Sequence, residues 1–324
     1  MESIAKRPPR KIGIIAVWMG NLPSYFPVWL RTLETNSSFD FFLFTDQPVE
    51  MKKPDNLKVV SMSFTELKSL IAEKLFLKVN IPHAYKLTDF KPAYGEIFSD
   101  YLINYNFWGY CDIDLLFGDL KKFITDDILL SFKKIFSRGH LTLYRNEPLI
   151  NAAYRSSGSL DTKKILQSPD NYSFDEWFGI HRIFEDLGIP QYNKEIMGDI
   201  KVLSPRLECS NTRNYRPQIF VWEEGSVRQY YIEEGVLKMT ELAYVHFQKR
   251  KITLSGQDVL RSRVMILNPD TLLSFSGPIT AATVREYDRP GYNHYLHSQF
   301  KRIRKRLYPF KKDPSAIVKI LPEK

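Results

Sequence analysis

Two spacings of apolar residues alternate along the first 120 positions. Ile12–Trp18, residues 41–45 and Leu57–Ser61 are short apolar runs rich in β-branched and aromatic residues, the pattern of strands covered by other layers. Between and after them, residues 24–34 and Phe64–Leu75 repeat apolar side chains at helical spacing. Strand, helix and strand in this succession predict βαβ units and a mainly parallel sheet. Lys91-Pro92 opens a further helix, proline being tolerated in a first turn, and its Tyr94, Ile97, Phe98, Tyr101 and Leu102 share one face. That helix delivers the chain into Phe107-Trp108-Gly109-Tyr110-Cys111-Asp112-Ile113-Asp114. A strand at 141–144, a helix opening at Phe174-Asp175-Glu176-Trp177, strands near 219–222 and 227–231 and a late strand at 242–247 complete the expected core. The fold class is therefore α/β, a Rossmann-like, mainly parallel sheet flanked by helices, with a basic helix at the C-terminus.

Composition narrows this picture. At 324 residues, 44% hydrophobic and 26% charged, the chain can bury one or two sizeable cores. Cys111 and Cys209 are too few for a disulfide framework or a thiolate metal site, and a reducing, cytoplasmic setting is expected. The run from Ile12 to Met19 follows Lys6, Arg7, Arg10 and Lys11, as an apolar signal region would, but Pro8-Pro9 intervenes and Gly20-Asn21-Leu22-Pro23 breaks it. Its β-branched content predicts a buried strand instead. The run falls well short of the ~20 residues that cross a bilayer.

The net charge of +9 is concentrated at one end. Lys301, Arg302, Arg304, Lys305, Arg306, Lys311 and Lys312 supply seven of the nine, leaving a core close to neutral. Leu296, Phe300, Ile303 and Leu307 fall on one helical face before Pro309, with Tyr295, Tyr308 and Phe310 nearby. This basic amphipathic segment suits either an anionic membrane surface, with the protein peripheral on the inner face of the plasma membrane, or docking on the core. Nucleic acid is not expected as a partner, because the rest of the chain is nearly neutral and carries no recognition motif.

The sharpest chemical feature is Asp112-Ile113-Asp114 between two strongly apolar stretches. Residues i and i+2 of a strand face one side, and carboxylates pinned among apolar neighbours are costly without a positive partner. A hard cation, Mg²⁺ or Mn²⁺, completed by a diphosphate satisfies both conditions at the carboxyl end of a parallel sheet. A polar turn in which the acids cap Lys121-Lys122 and the following helix satisfies them as well.

Residues 91–100 followed by Trp108-Gly109-Tyr110-Cys111-Asp112-Ile113-Asp114 resemble bacterial polysaccharide-biosynthesis glycosyltransferases of the GT-A fold, of the capsule and O-antigen type. The stretch is also distantly similar to the Gly-Gly-x-Tyr-x-Asp-x-Asp region of galactosyl- and mannosyltransferases, with Trp108-Gly109 in place of the double glycine and Ile103-Asn104 near the expected arginine. The resemblance implies a nucleoside diphosphate sugar, with a UDP-sugar favoured, whose diphosphate is bridged to the Asp-x-Asp pair by Mn²⁺ or Mg²⁺. Asp114 would be the direct ligand, with Asp112 on the ribose or metal. Donor contacts would come from Lys91 and Asp100, and Val17, Asn21 and Asp46 would sit over base and ribose. Asp46 equally suits a turn in Thr45-Asp46-Gln47-Pro48.

Within the same resemblance His246, at the end of the late strand, would complete the cation's ligands, and Lys249 would bind the departing diphosphate. A lone strand histidine is otherwise most often a satisfied core residue. Asp175 and Glu176, read as the start of a helix, suit either capping or catalysis: one of them as the base toward an acceptor hydroxyl, or, in a retaining enzyme, as a positioning group. The His-x-x-Lys ending leans toward retention. Arg145, Asn146 and Asn151, after the 141–144 strand, would bond sugar hydroxyls or serve as exposed loop polarity.

The division expected is a GT-A-like catalytic domain over 1–250, an extension packed on it over 251–290, and a basic tail over 291–324. The function expected is transfer of a hexosyl unit to a glycan or lipid-linked glycan acceptor in surface polysaccharide synthesis. The alternatives are a sugar nucleotidyltransferase and a non-catalytic glycan- or membrane-surface-binding protein.

Overall fold

The computed structural model describes residues 10–156, 158–256 and 258–291 together with 296 and 299. The expected α/β architecture is observed. Four strands, β1 (Ile12–Trp18), β2 (Asp40–Thr45), β3 (Leu57–Ser61) and β4 (Phe107–Cys111), lie side by side in the order β3-β2-β1-β4, all parallel. Past β5 (Leu115–Phe117) the chain reverses. Strands β6 (Lys134–Arg138), β7 (Leu141–Arg145) and β8 (Gln191–Tyr192) extend the sheet to seven in the order β4-β7-β6-β8, with β7 antiparallel to both β4 and β6.

Strand alternation divides the core between the two faces of this sheet. Ile12, Ile14 and Ala16 of β1 pack with α1 (Phe26–Glu34), whereas Ile15 packs with α2 (Phe64–Leu75) and the segment that follows it. Helix α2 starts where the sequence places it because Ser63 and Glu66 form a reciprocal capping box, at 3.2 and 2.7 Å. In β4, Phe107 and Cys111 face the first layer, and Trp108 and Tyr110 face the second.

Three expected elements differ in detail. The helix after Lys91-Pro92 is two short helices, Tyr94–Ile97 and Ser99–Leu102, preceded by a 3₁₀ segment Ala84–Ala93. The break falls at Phe98, whose buried ring stacks on Phe44 at 4.1 Å. No helix opens at Phe174. Buried Asp89 accepts the Tyr172 and Phe174 amides at 2.9 and 2.8 Å, Ser173 adopts a positive φ of 52°, and helix Ile180–Asp186 begins only after a turn. The late strand is two strands in different sheets, divided at Ala243, whose amide and carbonyl bond Ile196 and Gly118.

The second half of the chain builds on this frame. Strand β9 (Gly198–Asp199) joins β5 in a three-stranded sheet through the later strand that carries His246. Strands β10 (Gln218–Glu223), β11 (Ser226–Glu233) and β12 (Val236–Leu242) form an antiparallel meander. Next, β13 (Tyr244–His246) inserts between β5 and β9, antiparallel to the former and parallel to the latter. Strands β14 (Thr253–Ser255), β15 (Val264–Leu267) and β16 (Thr271–Phe275) return to the meander and complete a six-stranded sheet, so that sheet draws on both sides of position 250. Among the described residues no helix is long and apolar enough to cross a membrane. Apart from residues 296 and 299, the basic segment 296–312 lies outside the described residues.

Candidate active site

A cavity of about 530 Å³ opens at the carboxyl edge of the parallel strands. Val17 near the end of β1, Asp112 and Asp114 just past β4, His140 before β7, Asp199 on β9 and His246 on β13 all line it. Strand pairing continues one residue beyond β4, since the Asp112 amide donates to the His140 carbonyl at 3.0 Å. The Phe247 amide donates to the Asp114 carbonyl at 3.2 Å, which ties the acidic loop to the end of β13. Residues 113 and 114 form a bend, so it is the tie to Phe247, and not strand alternation, that brings the Asp114 carboxylate to the same cavity as Asp112.

Asp112, Asp114 and His246 each offer a ligand atom within 4.8 Å of the others. His246 Nε2 is 3.4 Å from Asp114 Oδ1, and Nδ1 is 2.9 Å from Asp199 Oδ1. Burial works against a charged imidazole, but the Asp114 carboxylate and hydrogen bonds to Asp114 and Asp199 outweigh it and push the His246 pKa up to about 10. In return the Asp114 and Asp199 carboxyls sit below the usual range, although burial opposes this in both. A proton on Nε2 and a divalent cation compete for this position. Two carboxylates suit either expected cation, and the added imidazole favours Mn²⁺ over Mg²⁺, so the donor set fits Mn²⁺ best. His140 lies beside His246 with ring centroids 4.4 Å apart, and burial followed by the His246 charge holds it neutral. Burial, followed by the charges of Asp114 and Asp112, keeps the proton on the Tyr25 hydroxyl in the same wall.

A second cluster lines the same cavity and shares Asp112 with the first. The buried Lys91 ammonium donates to Asp112 Oδ1 at 2.7 Å, Asp175 Oδ2 at 2.9 Å and the Gly139 carbonyl at 2.7 Å. An ammonium has three N–H groups, so none remains for a ligand, and Lys91 acts by holding two carboxylates instead of contacting a donor. The two carboxylates overcome the burial penalty and raise its pKa well above the ordinary value. Burial pushes the Asp175 carboxyl up to about 7 in spite of Lys91, and burial also raises Glu176. Because Phe174–Gly179 is a turn, neither acid sits at a helix N-terminus. Glu176 accepts the Gly139 amide at 3.3 Å, and a Cβ at Gly139 would lie 2.6 Å from Asp175 Oδ2, so a larger residue there would displace the Asp175 carboxylate.

The remaining candidates divide by position. Lys249 stands at the cavity wall over the Tyr85 ring, its nitrogen 5.0 Å from the ring centre. Asn21 offers its carbonyl to the Trp18 indole, and Asp46 fastens the same loop by accepting the Gly20 amide at 2.8 Å; neither lines the cavity. Asp100 is exposed and paired with Lys74 at 2.7 Å, away from the site. Arg145, Asn146 and Asn151 stand at the other end of the sheet. Since β7 runs antiparallel to β4, Arg145 pairs with Phe107 at the amino edge, and the residues after it cannot reach the cavity. Arg145 binds the Leu129 and Leu130 carbonyls, Asn146 those of Leu102 and Tyr105, and Asn151 the Trp108 indole.

Asp199, His140, Tyr25 and Arg138 line the cavity without having been expected there. Asp199 had a visible signal, since Ile196-Met197-Gly198-Asp199-Ile200 is an acid within an apolar run like the one around Asp112. His140 directly precedes a strand, and its role depends on that strand's direction, which local pattern does not carry.

A model of a family of unknown function (DUF6625) matches residues 14–274. Among solved structures the chain is similar to mouse xyloside xylosyltransferase 1 in its apo form, with a TM-score of 0.37 and 10% identity over 59% of this chain and 88% of that one. It is also similar to the galactosyltransferase LgtC in complex with donor and acceptor sugar analogues, with a TM-score of 0.35 and 12% identity over 58% of this chain and 75% of that one. No curated protein matches the chain.

Proposed function

The chain belongs to this family of unknown function, and for its candidate site we propose a glycosyltransferase activity of the GT-A type. In this reading a hexosyl unit passes from a nucleoside diphosphate sugar, UDP-sugars favoured, to a glycan or lipid-linked glycan acceptor in surface polysaccharide synthesis. The observation that carries the proposal is the convergence of Asp112, Asp114 and His246 within 4.8 Å at the carboxyl edge of the parallel strands, beside a cavity of about 530 Å³.

Asp112, Asp114 and His246 would hold Mn²⁺ or Mg²⁺, which when bound neutralises charge on a diphosphate. Lys249 adds a cation toward the departing diphosphate, where charge develops as the anomeric bond to phosphate breaks. Val17 and the loop after β1 support the nucleotide. The Lys91 ammonium keeps Asp112 and Asp175 fixed, so the cavity keeps its shape as ligands enter. Asp175 and Glu176, both at the cavity wall, orient sugar hydroxyls in the retaining reaction. The basic segment 296–312 would draw the enzyme to an anionic membrane surface carrying a lipid-linked acceptor.

Calorimetry with a panel of nucleotide sugars, in Mn²⁺ and again in EDTA, tests the reading. Binding of a UDP- or GDP-sugar that requires the cation, followed by slow donor hydrolysis, is the expected result. Nucleotide-sugar binding of equal strength in EDTA would remove the cation from the mechanism, and no binding by any donor would remove the proposal.

A further inference from the structure

The register of the three-stranded sheet sets His246 directly beside Asp199, on the parallel neighbours β13 and β9. Their side chains meet at 2.9 Å, Nδ1 to Oδ1. Asp199 is itself well buried and held from several sides. Ser210 Oγ donates to its Oδ2 at 2.7 Å, Gln248 Nε2 donates to its Oδ1 at 2.8 Å, and its amide donates to Asn211 Oδ1 at 2.9 Å.

Both Asp199 oxygens already accept hydrogen bonds, Oδ2 from Ser210 and Oδ1 from Gln248, so the proton between the two groups belongs to Nδ1 of His246. The lone pair available to a metal is then on Nε2, the nitrogen that faces Asp114 at 3.4 Å. A ring turned by half a rotation about its Cβ–Cγ bond would lose the Asp199 contact. His140, alongside at 4.4 Å, further confines the ring. We infer that Asp199 is the positioning residue of the cation site: it selects the tautomer and orientation of His246 that present Nε2 to the space shared with Asp112 and Asp114. Outer carboxylates of this kind raise the basicity of a histidine ligand, and their loss costs roughly 10–100-fold in metal affinity.

The inference rests on the cation reading above, and Mn²⁺ binding to the full chain, followed by electron paramagnetic resonance without nucleotide or acceptor, separates the two. Asp199→Asn retains the shape and an acceptor oxygen but removes the charge, and should weaken Mn²⁺ binding about 10–100-fold while circular dichroism and thermal unfolding report a folded protein. Ser210→Ala removes a bond that holds Asp199 but leaves the contact to His246, and should change Mn²⁺ affinity by no more than about twofold. In ¹⁵N-histidine spectra with Mg²⁺, the wild-type His246 should carry its proton on Nδ1, and Asp199→Asn should show a mixture of tautomers. Unchanged Mn²⁺ affinity in Asp199→Asn would overturn the inference and leave the cation reading standing. A loss as complete as that of Asp114→Asn would overturn it too, by making Asp199 a ligand. Equal losses in Ser210→Ala and Asp199→Asn would reduce Asp199 to a structural support. A wild-type protein that takes up no Mn²⁺ would instead fail the cation reading itself.

Discussion

At the carboxyl end of β4, Asp112, Asp114, His246 and Asp199 direct their charges at one another across a cavity. At the amino end of the same strand, polar residues of comparable reach, Arg145, Asn146 and Asn151, bond backbone carbonyls and an indole. The two ends differ in what their polar atoms satisfy. Groups at the amino edge close orphaned carbonyls left by short helices and turns, and so stabilise the fold. Groups at the carboxyl edge, beyond the bonds from Lys91, Ser210 and Gln248, satisfy one another by sharing protons and charge, an arrangement that a cation can replace. The polarity of a loop therefore says little about function until the strand direction places it at one edge or the other.

The largest effect should come from the carboxyl edge. Asp114→Asn is expected to abolish cation-dependent binding of UDP or GDP and to lower turnover on the order of 10³-fold, the scale of losing electrostatic stabilisation of a leaving group. Calorimetry in Mn²⁺ and a donor-hydrolysis assay read both, and cation-dependent binding of undiminished strength would erase the contrast between the edges.

Lys91→Met sharpens the comparison from inside the cavity wall. It leaves Asp112 and Asp175 without their shared cation, and breaking a buried ion pair from one side costs about 3–5 kcal/mol. Chemical denaturation should show that loss. A variant as stable as the wild type would mean that the two carboxylates take up protons or another partner at little cost.

At the amino edge, Asn146→Ala removes two bonds to backbone carbonyls and one to Asn151. A destabilisation of about 1–3 kcal/mol is expected, with Mn²⁺ and nucleotide affinities unchanged. A fall in nucleotide affinity at unchanged stability would return Asn146 to the binding site.

The finest test is pH. The His246 pKa is raised from 6.5 to about 10 in the folded chain, so its contribution to stability is fully present below pH 6.5 and is lost as pH rises through 10. Buried Lys134, whose pKa burial pushes down to about 7, acts with the opposite sign across an overlapping range. The stability of wild type relative to His246→Gln in EDTA cancels that contribution. This difference should shrink by at most about 1.4 kcal/mol per pH unit between 6.5 and 10, and a flat difference would mean that the imidazole is neutral.

Strands β1 to β4, the two long helices between them and the paired acids at 112 and 114 are legible in the chain alone, because each follows from burial along a single element: an apolar period of 2 or 3.6, or acids enclosed by an apolar run. The candidacy of His246 came from the resemblance. The three-dimensional arrangement alone set the direction of β7, which carries Arg145 and Asn146 away from the cavity. It likewise decided that Lys91 is consumed by Asp112 and Asp175, that Asp89 unwinds the start of the helix expected at Phe174, and that Asp199 stands beside His246. These relations join residues from 21 to 85 positions apart, through strand direction, sheet register and shared protons. Periodicity records which side of an element is buried, and it holds no information about which distant element, in which direction, does the burying.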